Sequence, residues 1–408
     1  MSTTSDKLQG RDFIVFSVLP WVIETGSNSK NISIELALSG NRVLYVDPPL
    51  DRITAIREGS DPNVKRKKEV LRKKQQALRQ DPAKENIWLY DPEVVLESLN
   101  FLPDGSLYDY LNQNNAKKLA NCVQKASDAL GFKDYIVFVD SDMLRCCFIK
   151  DYLNAKTYLY YTRDYLQGVP FWQRHGKRLE PVHMAKADGV VANSEYLKAW
   201  AEKFNPHSYY IGQGCNIEHF NPDKNWALPN DWPKNERPKI VYTGFHTTLR
   251  LDLNLLIGLV ETRPEWDWLF VGAEDKLFQE SSLHGKPNVY FLGKKSIAEL
   301  PAYIKYATVC INPQQLNDIT KGNYPLKINE YLAMGKPSVA TRTEFMKSFS
   351  GHCLLADGVT EWSEVIEKAI LSESIELAKA RRLFALAHSW ENNVKEIYKV
   401  INQIETER

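Results

Sequence analysis

The 408-residue chain is 43% hydrophobic and 25% charged, with 20 Gly and 20 Pro, which excludes a disordered or collagen-like protein and predicts about two to three globular domains. Its 52 basic and 51 acidic residues give a net charge of +1, so the overall charge gives no support for a nucleic-acid partner. The six cysteines contain no C-x-x-C pair, and no apolar stretch is long enough to cross a bilayer. We therefore expect free thiols and a cytoplasmic protein, and a peripheral position at the inner face of a membrane is compatible with this.

Short apolar runs alternate with helical stretches along the whole chain. The predicted strands of the first part are 13–19, 42–46, 135–139, 157–161, 190–192 and 208–211. Those of the second part are 239–243, 268–271, 288–292, 308–311, 338–340 and 353–355. Continuous apolar runs indicate parallel strands that helices cover on both faces. The alternation predicts an α/β fold of two doubly wound, Rossmann-like domains.

A proline-rich segment divides the chain. Residues 221–238 contain four prolines and show neither helical nor strand periodicity, which predicts a linker. The predicted domains are 1–220 and 239–388. Residues 389–408 form a final helix that starts at Ser389, a candidate N-cap, and reaches Ile404.

The segment from Val64 to Gln80 interrupts the α/β rhythm. It has eight basic residues and one acidic residue, and Val64, Leu71 and Leu78 recur every seven positions on a predicted helix. One interpretation is a solvated helix within an insertion. The other is an interfacial helix that faces an anionic membrane surface.

Residues 308–341 contain the most informative candidate site. A strand, a polar loop and a helix entered near Pro325 place Lys327 and Glu330 three residues apart, on one helix face. The helix start offers free N–H groups and a positive dipole end to a diphosphate, Lys327 adds a cation, and Glu330 can accept from ribose hydroxyls. The alternative is a Lys–Glu pair on an ordinary helix.

The string N-D-I-T…Y-P-L-K-I-N-E-Y-L-A-M-G-K-P-S-V-A in this window resembles the donor-site signature of GT-B glycosyltransferases. It is most similar to the family 4-like branch that includes the teichuronic acid biosynthesis enzymes, and around P-L-K to xanthan-type glucuronosyltransferases. The resemblance implies two Rossmann-like domains facing a cleft. The broad family has two Glu residues with seven positions between them. Glu330 matches the second, Gly322 stands in place of the first, and Lys321 and Asn323 are expected to take over part of its role.

The resemblance implies further donor contacts in the second domain. Gly244 would let the backbone approach the phosphates, and His246 or Arg250 would supply polar contacts behind it. The remaining donor candidates are Lys294, Tyr324 and Leu326. An ordinary loop position for His246 and a solvated Lys294 are the alternatives.

A second stretch, residues 160–194, resembles the family pattern that leads from a strand to A-D-x-V-x-x-x-S. The resemblance implies that Asp164 is the base of an inverting reaction, at the strand edge where α/β sheets bind ligands. Asp164 as a turn or cap residue, with Arg163 as its ion-pair partner, is the alternative. Trp21, Glu24 and Arg163 are predicted to line the acceptor cleft, although the first two also fit a lead-in to a helix capped by Ser27 or Asn28.

Asp140 and Asp142 form a D-x-D pattern that could hold a metal, but Asp142 also fits as the cap of a helix over residues 143–152. We expect no metal and no cofactor. The predicted function is transfer of a sugar from a nucleotide sugar to a hydroxyl of a glycan or lipid-linked acceptor in surface polysaccharide or glycolipid biosynthesis. The resemblance implies a UDP-linked donor. A sugar-nucleotide epimerase and a degenerate, non-catalytic sugar-binding protein are the alternatives.

Overall fold

The computed structural model describes residues 8–23, 26–57, 59–320 and 322–408. The chain divides into two compact α/β units. The first consists of Met1–Gly212 together with Asn393–Arg408, and the second of Gln213–Asn392. The division thus falls eight residues before the predicted end of the first domain, and the predicted linker lies inside the second unit.

The first unit is built on an eight-stranded sheet and a small two-stranded one. Its strands are β1 Asp12–Phe16, β2 Arg42–Val46, β3 Leu50–Asp51, β4 Leu78–Asp81, β5 Lys84–Tyr90, β6 Val95–Leu96, β7 Ile136–Asp140, β8 Thr157–Thr162, β9 Gly189–Ala192 and β10 Ser208–Tyr210. The large sheet has the order β10-β9-β8-β7-β1-β2-β5-β4, and β3 pairs with β6. Every pair in the large sheet is parallel except β4 with β5. Strands β1, β7 and β8 are buried along their whole length, as strands covered on both faces must be.

Helices cover this sheet. They are α1 Asn28–Leu38, α2 Arg52–Arg57, α3 Pro62–Leu71, α4 Ser106–Ala129, α5 Pro170–Lys186 and α6 Glu195–Ala201. Ser27 caps α1 by accepting a hydrogen bond from the Lys30 N–H. This agrees with the helix lead-in interpretation of that loop.

The second unit has one six-stranded parallel sheet. Its strands are β11 Lys239–Thr243, β12 Asp267–Val271, β13 Val289–Phe291, β14 Val309–Asn312, β15 Ser338–Thr341 and β16 Leu354–Ala356, in the order β13-β12-β11-β14-β15-β16. Its helices are α7 Leu253–Thr262, α8 Lys276–Gln279, α9 Leu300–Tyr306, α10 Leu326–Ala333, α11 Gly358–Leu371 and α12 Ile375–Leu386. Both units are therefore Rossmann-like, as the sequence predicts.

The last helix, α13, spans Trp390–Thr406 and belongs mainly to the first unit. Its predicted cap is present, because the Ser389 hydroxyl accepts from the Asn392 N–H at 3.1 Å. Further along, Tyr398 accepts a hydrogen bond from the Asn41 amide, and Glu405 pairs with Arg11 at 2.6 Å. No helix in the described part of the chain is both long enough and apolar enough to cross a bilayer.

The predicted linker 221–238 is folded onto the second unit. Trp232 is buried, and its ring lies 6.3 Å from that of Tyr303. Asp231 accepts from the Tyr303 hydroxyl and pairs with Lys295 at 2.6 Å. The prolines predicted irregular backbone correctly, but the tryptophan anchors the segment to a core.

The predicted helix from Val64 to Gln80 is wrong beyond Leu71. Helix α3 ends there, and the chain turns through Lys73, at φ 57°, into β4, which pairs antiparallel with β5. Val64 is buried, so this side of the helix faces protein rather than solvent or lipid. Leu78 lies on the strand and not on a helical stripe.

The basic side chains of this segment neutralise buried carboxylates. Arg66 pairs with Asp47 at 2.9 Å and with Asp91, and Arg79 also binds Asp91, at 2.6 Å. Asp47 and Asp91 follow β2 and β5 directly and are fully buried. Burial and the neighbouring Asp91 raise the pKa of Asp47, and the cations oppose this effect. Removing one partner would leave an uncompensated buried charge, so this network is structural.

Candidate functional site

The carboxyl ends of β11 and β12 meet through two glycines. The strands are parallel with Thr243 beside Val271, and the Gly244 N–H donates to the Val271 carbonyl at 2.9 Å. Gly272 has φ +157°, and a Cβ there would lie 1.8 Å from the Gly244 carbonyl oxygen. Gly244 itself has φ +127°. Both turns therefore require glycine, and they leave backbone without side chains at the edge where such sheets bind ligands.

Lys327 lies beside this backbone, as the sequence predicts for a donor site. Its Nζ is 4.9 Å from the centre of the Tyr242 ring, a cation–π geometry. A Cβ built on Gly244 would be 3.4 Å from Lys327 Cε and 3.7 Å from Nζ. The structure thus brings Gly244 and Lys327 together, with a cation next to half-buried main chain that has no side chain of its own.

Glu330 lies one turn further along α10. Burial raises its pKa to about 7, and the positive charge of Lys327 partly opposes this. In the described part of the chain no ion pair joins Lys327 to Glu330, which argues against the interpretation as an ordinary Lys–Glu pair. The neighbouring Tyr331 fastens α10 to β11, because its hydroxyl accepts from the Thr243 N–H at 2.9 Å.

His246 is in the core and not in an ordinary surface loop. Its ring is fully buried and lies 5.5 Å from Tyr242, 5.6 Å from Phe270 and 5.9 Å from Phe278. Burial, together with the charge of Lys327, lowers its pKa to about 4. His246 is therefore neutral at physiological pH, and neither ring nitrogen has a hydrogen-bond partner among the described residues.

The loop before α10 is held mainly by neutral groups. Asn323 Nδ2 lies 3.5 Å from Gln314 Oε1, and Gln314 donates to the Thr320 carbonyl at 3.1 Å. Tyr324 is buried, and its hydroxyl accepts from Asn329 at 2.7 Å. Its role in the structure is packing, which is also the role of the half-buried Leu326. Gly322 is buried, and the candidate Lys321 lies outside the described residues.

Two other donor candidates lie at the same sheet edge or near it. Arg250 is half-buried in the loop after β11, and its carbonyl accepts from the Gln315 N–H at 2.9 Å. This bond ties the loop after β11 to the loop after β14. Lys294 is exposed and follows Gly293, which has φ +70° at the end of β13.

The first unit places three charged groups at the ends of β7 and β8. Arg163 donates from Nε to Asp140 at 2.7 Å and from Nη1 to Asp164 at 2.9 Å. Asp140 is fully buried, whereas the side chain of Asp164 is 20% exposed. The ion pair considered for Asp164 and Arg163 is thus present, and Arg163 also bridges to a second carboxylate.

Trp21 is a packed residue and does not present a free ring or indole N–H to a cleft. It is buried, its indole N–H donates to Asp81 at 2.8 Å, and its ring meets that of Tyr45 at 4.9 Å. The other acceptor candidate of this loop, Glu24, lies outside the described residues.

The D-x-D pattern separates two carboxylates with different partners. Asp140 binds Arg163, whereas Asp142 pairs with Arg145 at 2.7 Å and accepts from its N–H. The predicted helix over residues 143–152 is wrong, since only the short 3₁₀ turn Ile149–Tyr152 forms. Among the described residues, no group of three or more His, Cys, Asp or Glu is placed to hold a metal.

Sequence reasoning missed two residues of these sites. Gly272 follows β12 directly, as Gly244 follows β11. A glycine at the same position after two strands was the signal that could have identified Gly272. Asp140 was considered only for metal binding, whereas in the structure it holds Arg163. That contact depends on two strands being neighbours, which the sequence alone does not specify.

Two Rossmann-like units with a ligand edge in the second define the GT-B fold of glycosyltransferases, and solved structures match it. Sucrose-phosphate synthase from Thermosynechococcus elongatus superposes with a TM-score of 0.68 at 16% identity, over 98% of this chain and 100% of that one. HepE from Anabaena, in complex with UDP and glucose, gives a TM-score of 0.63 at 15% identity, over 96% and 99%. These likenesses establish the fold.

Sequence comparison identifies the second unit more closely. Residues 237–371 match the family model of glycosyl transferases group 1. The chain is also 27% identical over 231 residues to TuaH of Bacillus subtilis (strain 168), a protein provisionally named as a teichuronic acid biosynthesis glycosyltransferase. That match covers 52% of this chain and spans 56% of TuaH. Most of the second unit is therefore similar to a glycosyl transferase family model, and the resemblance read from residues 308–341 is confirmed.

Proposed function

We propose that the protein is a glycosyltransferase that moves a sugar from a nucleotide sugar to a hydroxyl group. The observation that carries the proposal is Lys327 beside Gly244, where a cation at the start of α10 adjoins main chain that has no side chain of its own. A diphosphate is bound by positive charge together with N–H donors, and no side-chain cap from the described residues occupies the N–H groups at the start of α10. The leaving nucleoside diphosphate would be stabilised by the same charge.

Glu330 is the candidate for the ribose hydroxyls of the donor. It lies one helical turn from Lys327, and a carboxylate can accept two hydrogen bonds from neighbouring hydroxyls. The pKa of Glu330 is about 7, so the free protein holds both the protonated and the ionised carboxyl at neutral pH. Ribose hydroxyls that donate to the carboxylate would favour the ionised form. A UDP-linked donor is supported by HepE, whose structure holds UDP and glucose.

The acceptor is proposed to be a glycan or a lipid-linked sugar of surface polysaccharide or glycolipid biosynthesis. The name of TuaH supports a polysaccharide pathway. Asp164, at the end of β8 and partly exposed, is the candidate base for the acceptor hydroxyl. We further propose that the reaction is independent of metal, with Lys327 supplying the charge near the phosphates.

The donor assignment is tested by calorimetry with UDP. Charge-assisted contacts to phosphate contribute about 1.5–3 kcal/mol, so Lys327→Ala is expected to weaken UDP binding about tenfold or more. Lys276→Ala is the matched control, because Lys276 is an exposed lysine of the same unit. Unchanged UDP affinity in both Lys327→Ala and Glu330→Ala would overturn the assignment.

Two alternatives are separated by one activity assay. Gly322 in place of a family glutamate favours a degenerate, non-catalytic sugar-binding protein. A sugar-nucleotide epimerase would act without an acceptor. Nucleotide release from UDP-sugars, measured with and without lipid-linked acceptors, distinguishes them. Release that depends on the acceptor supports transfer, and an epimerised donor supports the epimerase. Donor binding without turnover supports the degenerate protein.

A further inference from the structure

Four large hydrophobic side chains of the first unit are exposed on the segment before α4, at the start of α4 and at the start of α5. They are Phe101, Leu107, Tyr110 and Phe171, with relative exposures between 57% and 63%. We call them the apolar patch. Leu107 and Tyr110 lie three residues apart near the start of α4, and Phe171 lies in the first turn of α5.

Two hydrogen bonds from side chains to main-chain carbonyls hold Phe101 and Phe171 near each other. The Phe101 carbonyl accepts from Arg174 on α5 at 2.9 Å, and the Phe171 carbonyl accepts from Asn100 at 3.0 Å. Phe101 also lines a depression of about 420 Å³ together with Leu111, which lies one turn after Leu107 on α4. Phe101 and Phe171 are therefore neighbours, and the depression extends the apolar surface from Phe101 to α4.

Three exposed or partly exposed cations accompany the patch. Lys118 lines the same depression as Phe101, Arg174 lies about one turn after Phe171 on α5, and Lys177 lies one turn further along that helix. These three cations form no ion pair with any described residue. The carboxylates nearby are already engaged, since Asp104 and Asp109 bind Arg178 and Glu97 binds Arg52, at 2.6 Å in the last case.

We propose that the apolar patch and its cations, Lys118, Arg174 and Lys177, dock the first unit onto an anionic lipid surface. Exposed aromatic and aliphatic side chains beside lysine and arginine are what the headgroup region of an anionic bilayer accommodates. Phe101 and Phe171 insert between headgroups, and the three cations contact lipid phosphates. The inference is independent of the catalytic proposal, because it concerns binding alone.

The basic segment from Val64 to Gln80 is the competing surface. It is a poorer membrane surface than its sequence suggests, because Val64 and Val70 are buried and Arg66 is engaged by Asp47 and Asp91. Arg72 and Lys74 are among its exposed cations, but the segment offers no exposed aromatic residue beside them. The two surfaces can be separated by mutation.

The test is co-sedimentation of the full chain with vesicles of phosphatidylcholine, alone or with about 30% phosphatidylglycerol. We expect binding to the anionic vesicles that weakens as salt is raised. Phe101→Ser with Phe171→Ser should reduce the bound fraction at least about tenfold, and Arg174→Glu with Lys177→Glu should abolish the preference for anionic lipid. Leu371→Ser with Leu383→Ser is the matched control, since both leucines are exposed in the second unit.

Two results would overturn the proposal. One is wild-type protein that stays in the supernatant with anionic vesicles. The other is binding that survives the patch variants but is lost in Arg72→Glu with Lys74→Glu, which would assign the membrane contact to the basic segment. Circular dichroism melts of every variant establish that the proteins compared are folded. Because vesicle binding requires no turnover, its outcome is separate from that of the UDP calorimetry.

Discussion

Replacing Glu330 with glutamine changes how the stability of the protein depends on pH. Burial raises the pKa of Glu330 from the ordinary 4.5 to about 7. In the unfolded chain the carboxyl loses its proton first, so the folded state becomes less stable as the pH rises through this window. The cost is absent below about pH 4.5 and complete above about pH 7. Glu330→Gln stays neutral throughout and avoids it.

The size of the effect follows from the shift. A pKa difference of about two and a half units corresponds to roughly 3 kcal/mol, at about 1.4 kcal/mol per unit. Glu330 keeps some contact with solvent, so we expect the variant to gain about 1–3 kcal/mol over the wild type between pH 5 and pH 8. Burial also raises the pKa of Glu180 in the first unit to about 7. Both proteins contain Glu180, so its contribution cancels in the difference between their unfolding free energies.

The measurement is urea unfolding of both proteins at several pH values, without nucleotide. Glu344→Gln is the control, because Glu344 is 87% exposed and its replacement removes a carboxylate without a burial cost. A stability difference between wild type and Glu330→Gln that does not change with pH would refute the reasoning. It would mean that Glu330 is as well solvated in the folded protein as in the unfolded chain.

Two further substitutions test the two strand-edge sites. Gly272→Ala puts a methyl group 1.8 Å from the Gly244 carbonyl oxygen, so we expect a loss of more than about 2 kcal/mol in unfolding free energy and weaker UDP binding. In the control Gly285→Ala the methyl group meets open space, and the loss should be less than about 1 kcal/mol. Equal losses in the two variants would contradict the close approach of Gly272 to Gly244. Asp164→Asn should lower transferase turnover by about 10²–10⁴-fold with UDP affinity unchanged, while Asp151→Asn, an exposed control of the same unit, leaves both unchanged. Near-normal turnover of Asp164→Asn would place the base elsewhere.

The central strands could be predicted from the sequence because their signal is local. A strand covered by helices on both faces is a continuous apolar run, and β1, β7 and β11 read that way without any knowledge of their neighbours. The β4–β5 hairpin was missed because its first strand, Leu78–Asp81, is mostly polar and follows a basic run.

The candidate site shows the same limit. Lys327 and Glu330 could be placed on one helix face because helical spacing is fixed. The burial of His246 could not be predicted, because it depends on rings from β11, β12 and α8 that come together only in the folded unit. Trp21 was expected to line a cleft because it lies in the loop after the first strand, but the sequence does not show that Asp81 accepts a hydrogen bond from its indole N–H.

The glycine at position 322 changes the charge of the donor signature. The family pattern supplies two carboxylates there, whereas this chain retains only Glu330, whose pKa of about 7 leaves it partly neutral at physiological pH. With Lys327 beside it, the signature is more positive, which suits a diphosphate. It also has one carboxylate fewer to stabilise positive charge that develops on the transferred sugar. In the first unit Asp140 is buried against Arg163, so Asp164 is the more accessible carboxylate of that pair, which is why it is the one proposed as the base.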